Sequence, residues 1–273
     1  MKKILVATDF SNCALNAMEY ALELAKILKV EVCAIHAIGS TEGLDNNVFN
    51  ALYIEDYYNT KRETLKEWAQ TFTQKEVYKN IPVSTFSDVG SVSTVISKYI
   101  DANPVELLVM GNMGSTGIAG LFGSNTNIMV EKTKTPMVIV PLESKFSTKP
   151  IITLATDFAT KLSPEDINGL NHIVEASKIE KLNVLNIIEG PEWKTNPSGE
   201  ESMKQVIKSV ELEFNYVIES NATEGIMKYI ASKKTDILCV VKHHHNIIYR
   251  IFNKSTVNQV MNKSIKSVLV LHE

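Results

Sequence analysis

Ten short runs of aliphatic and β-branched residues punctuate the chain, and between them apolar residues recur every three or four positions. The first five runs are ILVAT (4–8), VEVCAIHA (30–37), IPVSTFSD (81–88), VELLVMG (105–111) and PMVIV (136–140). The stretches between them predict helices at SNCALNAMEYALELAKILK (11–29), NTKRETLKEWAQTFTQK (59–75, within a longer amphipathic helix), SVSTVISKYIDA (91–102) and SNTNIMVEKT (124–133). The same order then returns, from PIITLAT (150–156) through LNVLNII, ELEFNYVI and DILCVVK to SVLVL (267–271). Strands this uniformly apolar are buried on both faces, and helices between them impose parallel pairing. The pattern therefore predicts an α/β chain of two tandem doubly wound five-stranded parallel sheets.

The repetition extends to the wording of the sequence. Thr8-Asp9-Phe10 recurs as Thr156-Asp157-Phe158, and TKTPMVIV (133–140) aligns on SIKSVLVL (264–271), which sets Ser124 on Ser255. The second copy is the shorter, and most of what it lacks lies where the first has Gly39 to Asn59. Domain boundaries at 1–145 and 149–273 follow, joined near LESKFSTKP. Each copy ends on an apolar strand that alone would be an exposed edge, so the two are expected to pair through it as an intramolecular pseudo-dimer.

Composition alters this picture little. A hydrophobic share of 44%, a charged share of 22% and a net charge of -3 fit a soluble globular protein and offer no nucleic-acid or membrane surface. The opening MKKILVATDF resembles an export signal only until Asp9 interrupts it, and no run reaches the ~18 apolar residues of a membrane span. Cys13, Cys33 and Cys239 are unpaired in number and spacing, so they predict core thiols in a reduced cytoplasmic protein, without a metal site.

The chemistry concentrates in GNMGSTGIAGLFGS (111–124), which holds five of the chain's twelve glycines. In a doubly wound sheet, ligands bind at the carboxyl ends of the strands where strand order reverses, here beside the first and fourth strands. A glycine loop entering a helix there can aim several backbone N–H groups, aided by the helix dipole, at a phosphate. Ser124 is expected as N-cap with its hydroxyl toward the anion, and Asp9 stands on the opposite lip, where an acid suits a ribose or adenine donor. The spacing matches neither the P-loop nor the dinucleotide fingerprint.

Thr8-Asp9 after the first strand, AIHAI at the second, and Gly111-x2-Gly114 leading to Gly123-Ser124 resemble the universal stress protein family, in both halves of the chain. The resemblance implies the adenine nucleotide alpha hydrolase-like fold and, from its ATP-binding branch, a site for ATP or ADP with accompanying Mg2+. Carried over, Asp9 and the Ala37 backbone would hold adenosine, Gly111, Gly114, Gly123, Ser124 and Asn125 would hold phosphates, and Thr8 and Met110 would belong to the same nucleotide-binding set. Eight residues separate Gly114 from Gly123, where that branch has nine.

The second copy retains Asp157 and Ser255, but KHHHNIIYRIFNKS (242–255) has no glycine, and the repeat alignment sets Lys242 on Gly111, His245 on Gly114 and Lys254 on Gly123. That exchange predicts a lost nucleotide site. Consecutive histidines at 243–245 point alternately in extended chain, which disfavours a metal site. With Lys242, Arg250 and Lys254 they form a basic patch that reads as a solvated lip, the alternative being an anion held by side chains. The function expected is a cytoplasmic stress-response protein that senses or regulates through adenine nucleotide and an unknown protein partner, with homodimerisation an option. The alternatives are a nucleotide-independent interaction module, a binder of another small ligand, or a slow ATPase in which Asp9 helps place a divalent ion. No Ser-His-Asp or paired-acid motif supports hydrolysis.

Overall fold

A computed structural model of the chain describes residues 2–39, 51–112, 124–158, 161–190, 195–242 and 266–272. The first half runs β1 (Lys3–Ala7), α1 (Asn12–Leu28), β2 (Glu31–Ile38), α2 (Ala51–Thr73), β3 (Val83–Val89), α3 (Val92–Ala102), β4 (Val105–Asn112), α4 (Ser124–Lys132) and β5 (Met137–Pro141). The second runs β6 (Ile152–Ala155), α5 (Asn168–Ser177), β7 (Lys181–Glu189), α6 (Pro197–Val206), β8 (Glu211–Glu219), α7 (Ala222–Ser232), β9 (Ile237–Lys242) and β10 (Ser267–His272). Every strand expected from the apolar runs is present.

All ten strands form one sheet in the order β3-β2-β1-β4-β5-β10-β9-β6-β7-β8. Pairing is parallel within each half and antiparallel only at the seam, where Val268, Leu269 and Val270 lie opposite Ile139, Val138 and Met137. Neither fifth strand is left as an edge, and β5 is buried along its whole length. This is the expected pseudo-dimer. Chain order reverses between β1 and β4 in the first half and between β6 and β9 in the second, which puts a switch point in each.

Alternate residues of each strand serve two cores. Ile4, Val6, Val32, Leu107 and Val109 face α1 and α2, whereas Leu5, Cys33, Ile35, Leu108 and Met110 face α3 and α4. Burying such a side chain contributes about 1.5–3 kcal/mol, so a strand's register is set by which residues must face which layer. The three cysteines are free and buried; burial, with the Asp9 charge, pushes the Cys13 thiol up.

Register also corrects the alignment of the two copies at β9. Ala7 pairs with Met110 in the first half, and its counterpart Ala155 pairs with Val240 in the second. Cys239 and Val241 share the α1-side core with Val109, while Leu238 and Val240 share the other core with Leu108 and Met110. Gly111 therefore corresponds to Val241, and Lys242 to Asn112. Setting Lys242 on Gly111 would turn every β9 side chain to the wrong face.

The halves differ most in two helices. α2 has 23 residues and α6 has 10, which accounts for most of the shorter second copy. α1 has 17 residues and starts just after the β1 turn, capped by Ser11, whose Oγ accepts from the Ala14 N–H. α5 has 10 residues and starts only at Asn168, after Ile167, which makes no side-chain cap. Both end alike, on a left-handed lysine: Lys29 at φ 55° and Lys178 at φ 50°.

Candidate functional site

The β1 turn is built by a closed set of hydrogen bonds. Thr8 donates its N–H to the Ile35 carbonyl at 3.0 Å and accepts the Phe10 N–H on Oγ1 at 3.0 Å. His36 Nδ1–H donates to the Thr8 carbonyl at 2.9 Å. Because a carbonyl only accepts, Nδ1 carries a proton here, and Nε2 is buried with no partner among the described residues. Phe10 holds φ at 65° and lays its ring 4.6 Å from His36. Left-handed backbone costs a bulky residue about 1–3 kcal/mol, which these bonds offset. Asp9 is thereby pushed out into solvent, with Oδ1 accepting the Ser11 N–H at 3.0 Å.

The second half repeats the device. Phe158 stands at φ 56° with its N–H on Thr156 Oγ1, and Asn186 Nδ2 donates to the Thr156 carbonyl at 2.8 Å in the role of His36. A Thr-Asp-Phe turn is thus common architecture and cannot by itself mark a ligand site. His36 was not singled out in the sequence; the signal was available in Asn186, the other side-chain donor at the repeated position.

What sets the first half apart lies across the switch point. A Cβ on Gly111 would stand 2.5 Å from the Cys13 carbonyl oxygen and 3.0 Å from the Ala14 nitrogen. Glycine here lets the first turn of α1 close directly over the end of β4, so that its N-terminal dipole faces the edge. In the second half Val241 fills this position, which is possible because α5 begins farther along the chain. An open cleft of about 460 Å³ lies in the second half between Phe158, Lys161, Leu162 and α6, from Asn196 to Gln205.

The remaining sequence-expected residues fall as follows. Ala37 lies at the carboxyl end of β2, half-buried, opposite Asp88 of β3. Asp88 is engaged by Lys98 Nζ at 2.5 Å, and that hydrogen bond, followed by one from the Val89 N–H, holds its carboxyl below the usual range. Met110 sends its side chain into the α3–α4 core, so only its backbone reaches the edge. Ser124 is the first residue of α4, one position inside the expected N-cap, and Asn125 is exposed on that helix. Gly114 and Gly123 lie outside the described residues, as do His243, His244, His245, Arg250 and Lys254. Thr8, Asp9, Ala37, Met110 and Gly111 do meet along one edge, with β1 between β2 and β4. Asn112, buried at the end of β4, adds an Oδ1 without a partner among the described residues.

Lys242 is not the solvated lip residue expected. Its Nζ reaches across the seam to the last turn of α4, donating to the Val130 carbonyl at 3.0 Å and the Glu131 carbonyl at 3.2 Å, with Glu131 Oε2 at 2.7 Å. His272 Nε2–H joins it on the Val130 carbonyl at 3.1 Å. The final carbonyls of a helix lack intrahelical donors and carry its negative pole, so an ammonium and an imidazole N–H satisfy both needs. Antiparallel pairing of β5 with β10 is what carries the second half's carboxyl edge to this spot. Among the described residues no cluster of His, Cys, Asp or Glu could hold a metal ion, and no helix is long and apolar enough to cross a membrane.

The family model of the universal stress proteins matches residues 1–141, more than half of the chain. The chain belongs to the universal stress protein family. Two universal stress proteins of Methanocaldococcus jannaschii are 29% identical over 150 residues and 26% identical over 153 residues. These matches cover 84% and 94% of the relatives but only 53% and 51% of this chain, as a tandem of two such units requires. A universal stress protein structure from Archaeoglobus fulgidus spans both halves: TM-score 0.73 at 18% identity, covering 98% of this chain and 97% of that one. The tandem arrangement of the universal stress protein fold is thus shared over the full length.

Proposed function

We propose that this universal stress protein binds ATP or ADP at the carboxyl edge of β1 and β4, in its first domain (1–145), and acts in the cytoplasm as a nucleotide-dependent regulator of a partner. The observation that carries this reading is the contact of Gly111 with the first turn of α1. It brings one helix N-terminus onto the edge from which the glycine loop leads into a second, α4. Two positive helix ends beside a glycine-rich loop favour a polyphosphate. Asp9, exposed on the neighbouring turn, is placed to accept from a ribose hydroxyl, and the Ala37 backbone supplies donor and acceptor groups for an adenine edge. Mg2+ would enter with the nucleotide's phosphates. The second domain (149–273) retains the turn but neither the glycines nor the early helix, and on this reading it binds no nucleotide.

Titration of ATP, ADP and adenosine into the wild-type chain and Gly114→Val tests the assignment. Blocking the phosphate approach should weaken ATP by roughly five- to 150-fold and leave adenosine unchanged. A folded Gly114→Val chain with undiminished ATP affinity would place the phosphates elsewhere.

A further inference from the structure

Two basic residues at the carboxyl ends of the second half's strands bond to the first half's helix. Lys242 and His272 together satisfy the Val130 and Glu131 carbonyls at the C-terminal end of α4, whose N-terminal end is entered at Ser124 from the glycine loop. The matching positions of the first half hold Asn112 and Pro141, which bring no charge, and proline has no side-chain donor. A clamp of one ammonium and one imidazole N–H therefore acts on α4 from the second half, and the matching positions of the first half hold no cation.

We infer that Lys242 and His272 are positioning residues for the nucleotide site of the other half: by holding the C-terminal end of α4, they keep its N-terminal amides fixed toward the phosphates. This inference rests on the nucleotide reading given above. The carbonyls of the last turn, left without donors, would fray toward water, and α4 is only 9 residues long, so fraying would extend toward the phosphate end. An ammonium at the negative pole also complements the dipole that favours anions at the opposite pole. Lys242 is suited to the role because only 19% of its side chain is exposed, so salt screens it less than a surface lysine.

The experiment uses the full chain with Lys242→Met, Lys242→Arg and His272→Leu, and reads ATP and adenosine affinity by calorimetry together with amide hydrogen exchange over α4. Lys242→Met keeps the apolar stem and removes the donors. It should weaken ATP by roughly three- to tenfold, leave adenosine unchanged and speed exchange in α4. His272→Leu should do the same to a smaller degree, and Lys242→Arg should restore both readouts. A wild-type chain that binds ATP, with Lys242→Met binding it equally well, overturns the clamp while leaving the nucleotide reading intact. A wild-type chain that binds no ATP overturns the nucleotide reading, and with it this role of the clamp, even if α4 exchange still responds.

Discussion

The two carboxyl edges of this sheet share one turn and differ in nearly everything around it. Each has a Thr-Asp-Phe turn closed by the threonine hydroxyl, a left-handed phenylalanine, and a side-chain donor from the neighbouring strand, His36 in one and Asn186 in the other. The first edge then receives α1 directly over Gly111, whereas the second has Val241 in that place, a later helix, and Lys242 and His272 turned toward the seam. A shared motif thus reports the fold that both halves need. The differences lie in whether a helix N-terminus and a bare backbone meet at the edge, as they do at Gly111 but not at Val241.

The sharpest way to break the comparison is to remove the close approach that only the first half makes. Gly111→Ala puts a methyl 2.5 Å from the Cys13 carbonyl oxygen, a backbone atom that cannot rotate away. The α1 turn must shift, so the variant should lose about 1–3 kcal/mol in chemical denaturation along with most of its nucleotide affinity. Wild-type stability and affinity in this variant would show that α1 is not held at the edge as described.

A smaller effect sharpens the account of the seam. Burial, with Lys242 close by, holds the His272 imidazole below its usual value, partly opposed by its bond to the Val130 carbonyl and by Glu131. A histidine whose folded value is depressed is neutral in both states at high pH. As pH falls below about 6.5 the unfolded chain takes up the proton first, and the folded state loses stability relative to it. Denaturation midpoints of the wild type should therefore fall below those of His272→Gln as pH drops from 8 toward 5, and converge with them at the alkaline end. A pH-independent difference between the two chains would remove His272 from the seam's electrostatics.

Much of this was legible in the sequence, for definite reasons. The strands announced themselves because buried parallel strands leave little room for polar residues, and the pairing of β5 with β10 followed from two apolar strands that each needed a cover. Alignment of the copies slipped by one residue at β9, because two aliphatic runs look alike in either register. The alternation of Val109 and Cys239 on one face would have corrected it. The late start of α5 was not legible, because it depends on a local turn at 164–167 in which the Asp166 carboxylate accepts from the Ser163 N–H. Lys242 could not be placed at all from sequence, since its partners on α4 lie in the other half and are reached only across the antiparallel seam.

Calorimetric titration of the wild-type chain with ATP and Mg2+ bears most directly on the claim that the first edge binds nucleotide and the second does not. The account predicts about one site per chain. A stoichiometry near two would mean that Val241 and the glycine-free segment after it still admit a nucleotide, and the asymmetry drawn between the two edges would be wrong.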